Sequence, residues 1–147
     1  MPEILLAEDN PADVYLLREA LREHGVDCNM RVASDGKEVL RIIGHESTAG
    51  TQGQPAEDYR ADLIILDLNL PRHDGIEILE RLRVSRTLAH VPVVVLTSSD
   101  SPRDRQMARQ LGAAHYLRKP SSLQNFLDLG AVFKDLLGQG GTESKAL

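Results

Sequence analysis

Five side chains of this 147-residue sequence would form a reaction centre if folding gathered them. Glu8 and Asp9 follow the apolar run Ile4-Leu5-Leu6-Ala7, and Asp67 follows Leu63-Ile64-Ile65-Leu66. Thr97 closes the β-branched run at 92–96, with Ser98 and Ser99 behind it. Lys119 lies between Arg118 and Pro120, just past a candidate strand at 114–117. Three carboxylates held within a few ångströms repel one another, so such a site must raise their pKa values or bind a cation. Hard oxygen ligands suit Mg²⁺, which keeps several waters and takes only one or two carboxylates. The five histidines include no i,i+4 pair, which disfavours zinc. A carboxylate beside Mg²⁺ and a fixed ammonium is equipped for phosphoryl transfer. Asp67 would attack phosphorus and form an acyl phosphate. The metal and Lys119 would offset charge on the equatorial oxygens, and Thr97 would donate a hydrogen bond to them.

Each residue alone has a plainer explanation. Glu8 or Asp9 after a strand is as readily a helix cap or turn former, and Asp67 as readily begins a turn toward Pro71. Thr97 alone reads as a β-favouring residue and Lys119 as a solvated loop charge. The sequence has only four lysines, so one at this spot by chance is less expected. The combination, not any member, carries the chemical reading.

The elements that must position these groups alternate between strand and helix. Asn10 offers an N-cap before Pro11, and Val14, Leu17 and Leu21 recur at helical spacing up to Gly25. Residues 28–33 read as a weaker second strand. Asp35 and Glu38 read as a capping box before Val39, Ile42 and Ile43. The four-residue run ending at Leu66 is apolar throughout, as in a strand covered on both faces. Helices follow from Gly75, from Ser101-Pro102 and from Ser121 or Ser122, the last running to about Leu137. Five such units imply an α/β fold with a parallel sheet, helices on both faces and right-handed crossovers. In open sheets of this kind the functional crevice lies at the carboxyl ends of the strands, where the five side chains fall. Residues 44–60 break the pattern with three glycines and a proline, and seventeen residues is long for a connection. They read as an excursion, a mobile loop or a partly helical extension. Residues 138–147 are Gly-rich and polar, and read as a frayed, disordered tail after a domain spanning 1–137.

Composition narrows the function further. With 41% hydrophobic and 27% charged residues the chain reads as one ordinary globular domain. A net charge of −5 argues against a phosphate-backbone binder, and 3% aromatics argues against base stacking, so no direct nucleic-acid contact is expected. No apolar run approaches the roughly 20 residues of a membrane span, and the start lacks a signal-peptide pattern. The single Cys28 forbids an internal disulfide and fits a reducing, cytoplasmic setting.

Taken together, Glu8-Asp9-Asn10, the stretch Leu66-Asp67-Leu68-Asn69-Leu70-Pro71 with Asp74-Gly75 behind it, Thr97-Ser98 and Lys119-Pro120 strongly resemble the receiver domain of two-component response regulators. The resemblance spans residues 2–137. It implies a flavodoxin-like, doubly wound five-stranded sheet of order 2-1-3-4-5. It implies phosphorylation of Asp67 by a sensor histidine kinase, with Mg²⁺ held by Glu8, Asp9, Asp67 and the Asn69 carbonyl. It further implies a phosphoryl contact from Lys119, a cis bond between Lys119 and Pro120, a Thr97 that moves toward the phosphoryl group, and a rotating aromatic at Tyr116. Asn69 and Ser99 stand at the positions that tune hydrolysis in the family. Tyr116 is also readable as a residue covering the sheet edge with its hydroxyl in water. No output domain is read after the receiver, so signalling is expected through partner contacts, dimerisation or onward phosphotransfer. Asn10-Pro11-Ala12-Asp13, Leu68-Asn69-Leu70-Pro71 and Thr97-Ser98-Ser99 have the flavour of stand-alone regulators that partner phytochrome-type kinases.

The last helix carries two apolar stripes: Leu123, Phe126 and Leu127, then Leu129, Val132, Phe133 and Leu136. One stripe suffices to cover a sheet. The surplus is explained by one broad buried stripe or by a homodimer contact, and the dimer, through Phe126, Leu129, Phe133 and Leu136, is the favoured expectation. Two other functions compete with the switch. A haloacid-dehalogenase-like phosphohydrolase needs an acid two residues after the nucleophile, where this chain has Asn69. A receiver that no longer accepts phosphate has no reason to keep Glu8, Asp9, Asp67, Thr97 and Lys119 together.

Overall fold

The computed structural model describes residues 1–44 and 59–145, with side chains to Gly138. The elements run β1 (Glu3–Ala7), α1 (Pro11–Glu23), β2 (Asn29–Ala33), α2 (Gly36–Ile42), β3 (Leu63–Leu66), α3 (Gly75–Arg83), β4 (Val93–Thr97), α4 (Pro102–Gln110), β5 (His115–Arg118) and α5 (Leu123–Lys145). The strands form one parallel sheet in the order β2-β1-β3-β4-β5. This is the doubly wound architecture expected from the alternating pattern. The excursion read at 44–60 falls largely on residues 45–58, outside the described residues.

Alternation along the strands splits the core in two. Ile4, Leu6, Leu63, Ile65, Val94 and Leu96 face α1 and α5, where Leu17, Leu21, Phe126 and Phe133 close over them. Leu5, Ala7, Ile64, Leu66, Val93 and Val95 face the other way, against Val39, Ile78, Leu79 and Leu82. The central strands β1, β3 and β4 therefore read as apolar runs, while edge strand β2 alternates between exposed and covered residues.

Caps fix where each helix begins. Asn10 Oδ1 accepts from Ala12 N at 2.9 Å, and Pro11 occupies the first helical position. Asp35, Asp74 and Ser101 cap α2, α3 and α4 in the same way. Ser122, one of the two serines expected, caps α5 through Asn125 N at 3.1 Å. Helix α1 ends at Gly25, whose φ of +73° lets Gly25 N and Val26 N return to the carbonyls of Arg22 and Leu21.

One expectation about the last helix needs correction. Phe126 is 3% exposed and Phe133 fully buried, and Leu129 and Leu136 pack on the same core cluster. Phe126 and Phe133 are therefore core residues, while Leu129 and Leu136 stay partly exposed. Helix α5 touches both the sheet and α1, so it needs a broader apolar face than a helix lying on a sheet alone. The close approach occurs at Gly130, where any Cβ would run into Ala20 O and His24 Nδ1. Helix α5 is described as far as Lys145. No helix among the described residues is long and apolar enough to cross a membrane.

Candidate functional site

The ladder of the sheet continues one residue past the strands and sets the reactive groups side by side. Glu8 N donates to Ala33 O at 2.9 Å, Asp67 N to Ala7 O at 3.0 Å and Lys119 N to Thr97 O at 2.8 Å. One rim thus carries Glu8, Asp67, Thr97 and Lys119, drawn from β1, β3, β4 and β5. Asp9 joins them, so that Glu8, Asp9 and Asp67 each place a carboxylate oxygen within 4.8 Å of the others.

Glu8 and Asp67 are 2% and 4% exposed, so their charges need partners at hand. Lys119 Nζ supplies one, lying 2.8 Å from Glu8 Oε1 and 2.9 Å from Asp67 Oδ2. The second oxygen of each is held by the backbone: Asn10 N donates to Glu8 Oε2 at 3.1 Å and Asn69 N to Asp67 Oδ1 at 2.9 Å. A third acceptor was not foreseen in the sequence. Asp13, in the first turn of α1, takes a 2.7 Å bond from Lys119 Nζ. An aspartate there ordinarily reads as a partner of the helix dipole, and only its presence beside the Glu8-Asp9 pair hints at more.

The balance of charge is uneven: four carboxylates meet one ammonium. Burial pushes the Glu8 carboxyl above its ordinary value, and the bonds from Lys119 and Asn10 offset this only in part. Burial acts to lower the Lys119 ammonium, but its bonds to Asp13, Glu8 and Asp67 outweigh it and hold Lys119 firmly charged, above its ordinary value. The donor set is all hard oxygen, partly open at Asp9 and short of positive charge, which fits a divalent cation.

Thr97 is fully buried, and its Oγ1 accepts from Asn69 Nδ2 and from Ser99 N, both at 3.2 Å. Its remaining capacity is as a donor. Position 69 therefore presents an amide engaged with Thr97, not the acid that a haloacid-dehalogenase-like hydrolase requires. Ser99 Oγ turns to Asp104 at 3.2 Å. Half-buried Tyr116 points its hydroxyl at Ser99 O, 3.4 Å away, under the Arg105 guanidinium. The Lys119–Pro120 bond is not cis: no cis peptide occurs among the described residues. Trans is favoured by about 0.5–1 kcal/mol even before proline, and Lys119 reaches Thr97 and all three carboxylates with it.

Residues 4–129 match the sequence profile of the response regulator receiver domain. The chain belongs to this family. Its receiver is 33% identical over 126 residues to response regulator Rcp1 of Synechocystis, covering 86% of this chain and 82% of that one. The crystal structure of the Mn²⁺-bound form of Rcp1 superposes with a TM-score of 0.74 at 31% identity, covering 88% of this chain and 89% of the other. The phosphorylated cyanobacterial phytochrome response regulator RcpA gives 0.76 at 32% identity, with 92% and 93% covered. The receiver also matches the transcriptional regulatory protein PhoP of Bacillus subtilis, 35% identical over 120 residues, 82% of this chain but only 43% of that longer protein.

Proposed function

We propose that this receiver accepts a phosphoryl group on Asp67 from a sensor histidine kinase, in a reaction that depends on Mg²⁺. The observation that carries the reading is the Asp67 carboxylate, buried at the sheet's rim between Asn69 N and Lys119 Nζ, with Glu8 and Asp9 beside it. An Asp67 oxygen forms the new bond to phosphorus as the bond from phosphorus to the donor's imidazole nitrogen breaks, and that nitrogen keeps the electron pair. Glu8, Asp9, Asp67 and the Asn69 carbonyl would hold the ion, which when bound neutralises charge on the phosphoryl oxygens. Lys119 offsets the same charge from the other side, and the Thr97 hydroxyl donates to the product.

The phosphoryl group then becomes a new dianionic ligand at Thr97. Thr97 Oγ1 is bonded to Ser99 N, and Ser99 O to Tyr116, so a shift of Thr97 reaches the α4–β5 surface through two contacts. Tyr116 is the switch residue in this reading, and Asn69 and Ser99 set the lifetime of the acyl phosphate. The receiver domain covers residues 1–137, and the protein works in the cytoplasm. The names of RcpA and of the bacteriophytochrome response regulator RtBRR, 32% identical with a TM-score of 0.69, support a phytochrome-type kinase as partner.

Acetyl phosphate with Mg²⁺ tests the assignment directly. Intact-mass measurement is expected to show one added phosphoryl group that is lost in base, and none in Asp67→Asn. Equal labelling of that variant would overturn Asp67 as the acceptor. Phosphotransfer from purified phytochrome-type and unrelated kinases tests the partner separately.

A further inference from the structure

Asp13 has no part in the chemistry described so far. Its carboxylate comes from a helix, not a strand end, and is outside the trio of Glu8, Asp9 and Asp67. Yet its 2.7 Å bond is the shortest of the three that Lys119 Nζ makes, and both side chains are largely covered, 16% and 13% exposed. The other two acceptors, Glu8 and Asp67, both belong to the trio. A divalent ion held by the trio draws on those same carboxylates and repels the ammonium. Asp13 is then the one acceptor that the ion does not claim. Lysine has a flexible four-carbon stem and three rotatable donors, so without a fixed acceptor the ammonium turns toward water. Asp13 is fixed, because α1 is capped by Asn10 and anchored in the core through Leu17 and Leu21.

We propose that Asp13 is a positioning residue that keeps the Lys119 ammonium beside Asp67 when a divalent ion occupies the Glu8–Asp9–Asp67 trio. The inference rests on the divalent-ion reading above and deepens it. In the absence of the ion, Lys119 bridges the carboxylates itself. In its presence, Asp13 retains the lysine within reach of a phosphoryl group on Asp67, so that the two positive charges share the site without expelling each other.

The test uses the full chain labelled with ¹⁵N, followed through the lysine ¹⁵Nζ resonances, with Mg²⁺ binding measured by calorimetry on the same samples. There are only four lysines, so the Lys119 signal is assigned by its loss in Lys119→Arg. The wild type is expected to show an ordered Lys119 ammonium both without Mg²⁺ and at saturation. In Asp13→Ala the signal persists without Mg²⁺, held by Glu8 and Asp67, and is lost at saturation. Asp13→Glu restores it. Asp13→Asn, which keeps the shape and removes the charge, gives the same weakening should the alanine variant not fold. An ordered signal in Mg²⁺-saturated Asp13→Ala overturns the proposal. So does loss of the signal before Mg²⁺ is added, since Asp13 would then act independently of the ion. Absence of any Mg²⁺ binding to the wild type overturns the divalent-ion reading along with it, whereas Mg²⁺ binding that leaves the Lys119 signal of Asp13→Ala ordered overturns this inference alone.

Discussion

Glu8 and Lys119 share one short contact, and their environments act on them differently. Glu8 is buried and receives only a share of one ammonium, so its carboxyl titrates above the ordinary value of 4.5. Lys119 receives three acceptors and stays charged. An ion can take Glu8 as a ligand only in its deprotonated form, so a proton competes directly with the metal. Mg²⁺ affinity is therefore expected to fall as pH falls, and to begin falling above the pH at which an ordinary carboxylate protonates. Calorimetric titrations across the acid range check this. Glu8→Gln is expected to flatten that dependence and to weaken binding at neutral pH by at least about 2 kcal/mol, roughly 30-fold, the fully water-screened lower bound for one unit charge acting on a dication at about 4 Å. An affinity that stays level in the wild type until ordinary carboxylates protonate would show that Glu8 is not a ligand. The same residue scale marks the limit of sequence reading. Glu8, Asp9, Asp67 and Thr97 were legible because they end apolar runs, and Lys119 because it follows the last candidate strand in a sequence with few lysines. Asp13 was not, because its contact with Lys119 spans 106 positions and leaves no local pattern.

Elements were legible wherever burial left a continuous signature. Strand β3 is apolar because both of its faces are covered, and its sequence bounds coincide with the observed Leu63–Leu66. The strand over 28–33 reads weakly because β2 lies at the sheet edge and only Ala33 is fully buried there. The stripes of α5 were ambiguous for a physical reason: a second apolar stripe looks the same whether a neighbouring helix or a second molecule covers it. Here α1 covers it. Phe133 is accordingly a core residue. Phe133→Ala is expected to destabilise the fold by about 3–5 kcal/mol in urea unfolding, the cost of removing a buried phenyl ring and leaving a cavity. Gly130→Ala is expected to destabilise as well, because the added methyl group meets the α1 backbone at Ala20. A Phe133→Ala midpoint equal to the wild type would show that the ring is not part of the core.

At the scale of the whole molecule, the parallel sheet brings carboxylates from distant parts of the chain to one rim, and the fold bears their repulsion. No local element contains the cluster, so it exists only when the sheet is formed. Two consequences follow for global stability. Neutralising one carboxylate relieves repulsion, so Asp9→Asn is expected to unfold at a higher temperature than the wild type when no divalent ion is present. An ion that binds only the folded state stabilises it by mass action, about 2.7 kcal/mol at a hundred times its dissociation constant. For a domain of this size that corresponds to a rise in midpoint of roughly 5–10 °C. Asp9 is the exposed member of the trio, so its substitution removes a ligand while leaving the buried packing in place. Thermal scans with and without Mg²⁺ are therefore expected to cross. The variant melts later in chelator, and the wild type gains more from the ion. Parallel shifts in the two proteins would mean that the ion binds elsewhere, and a variant that melts earlier in chelator would mean that Asp9 contributes more through local contacts than it costs through repulsion.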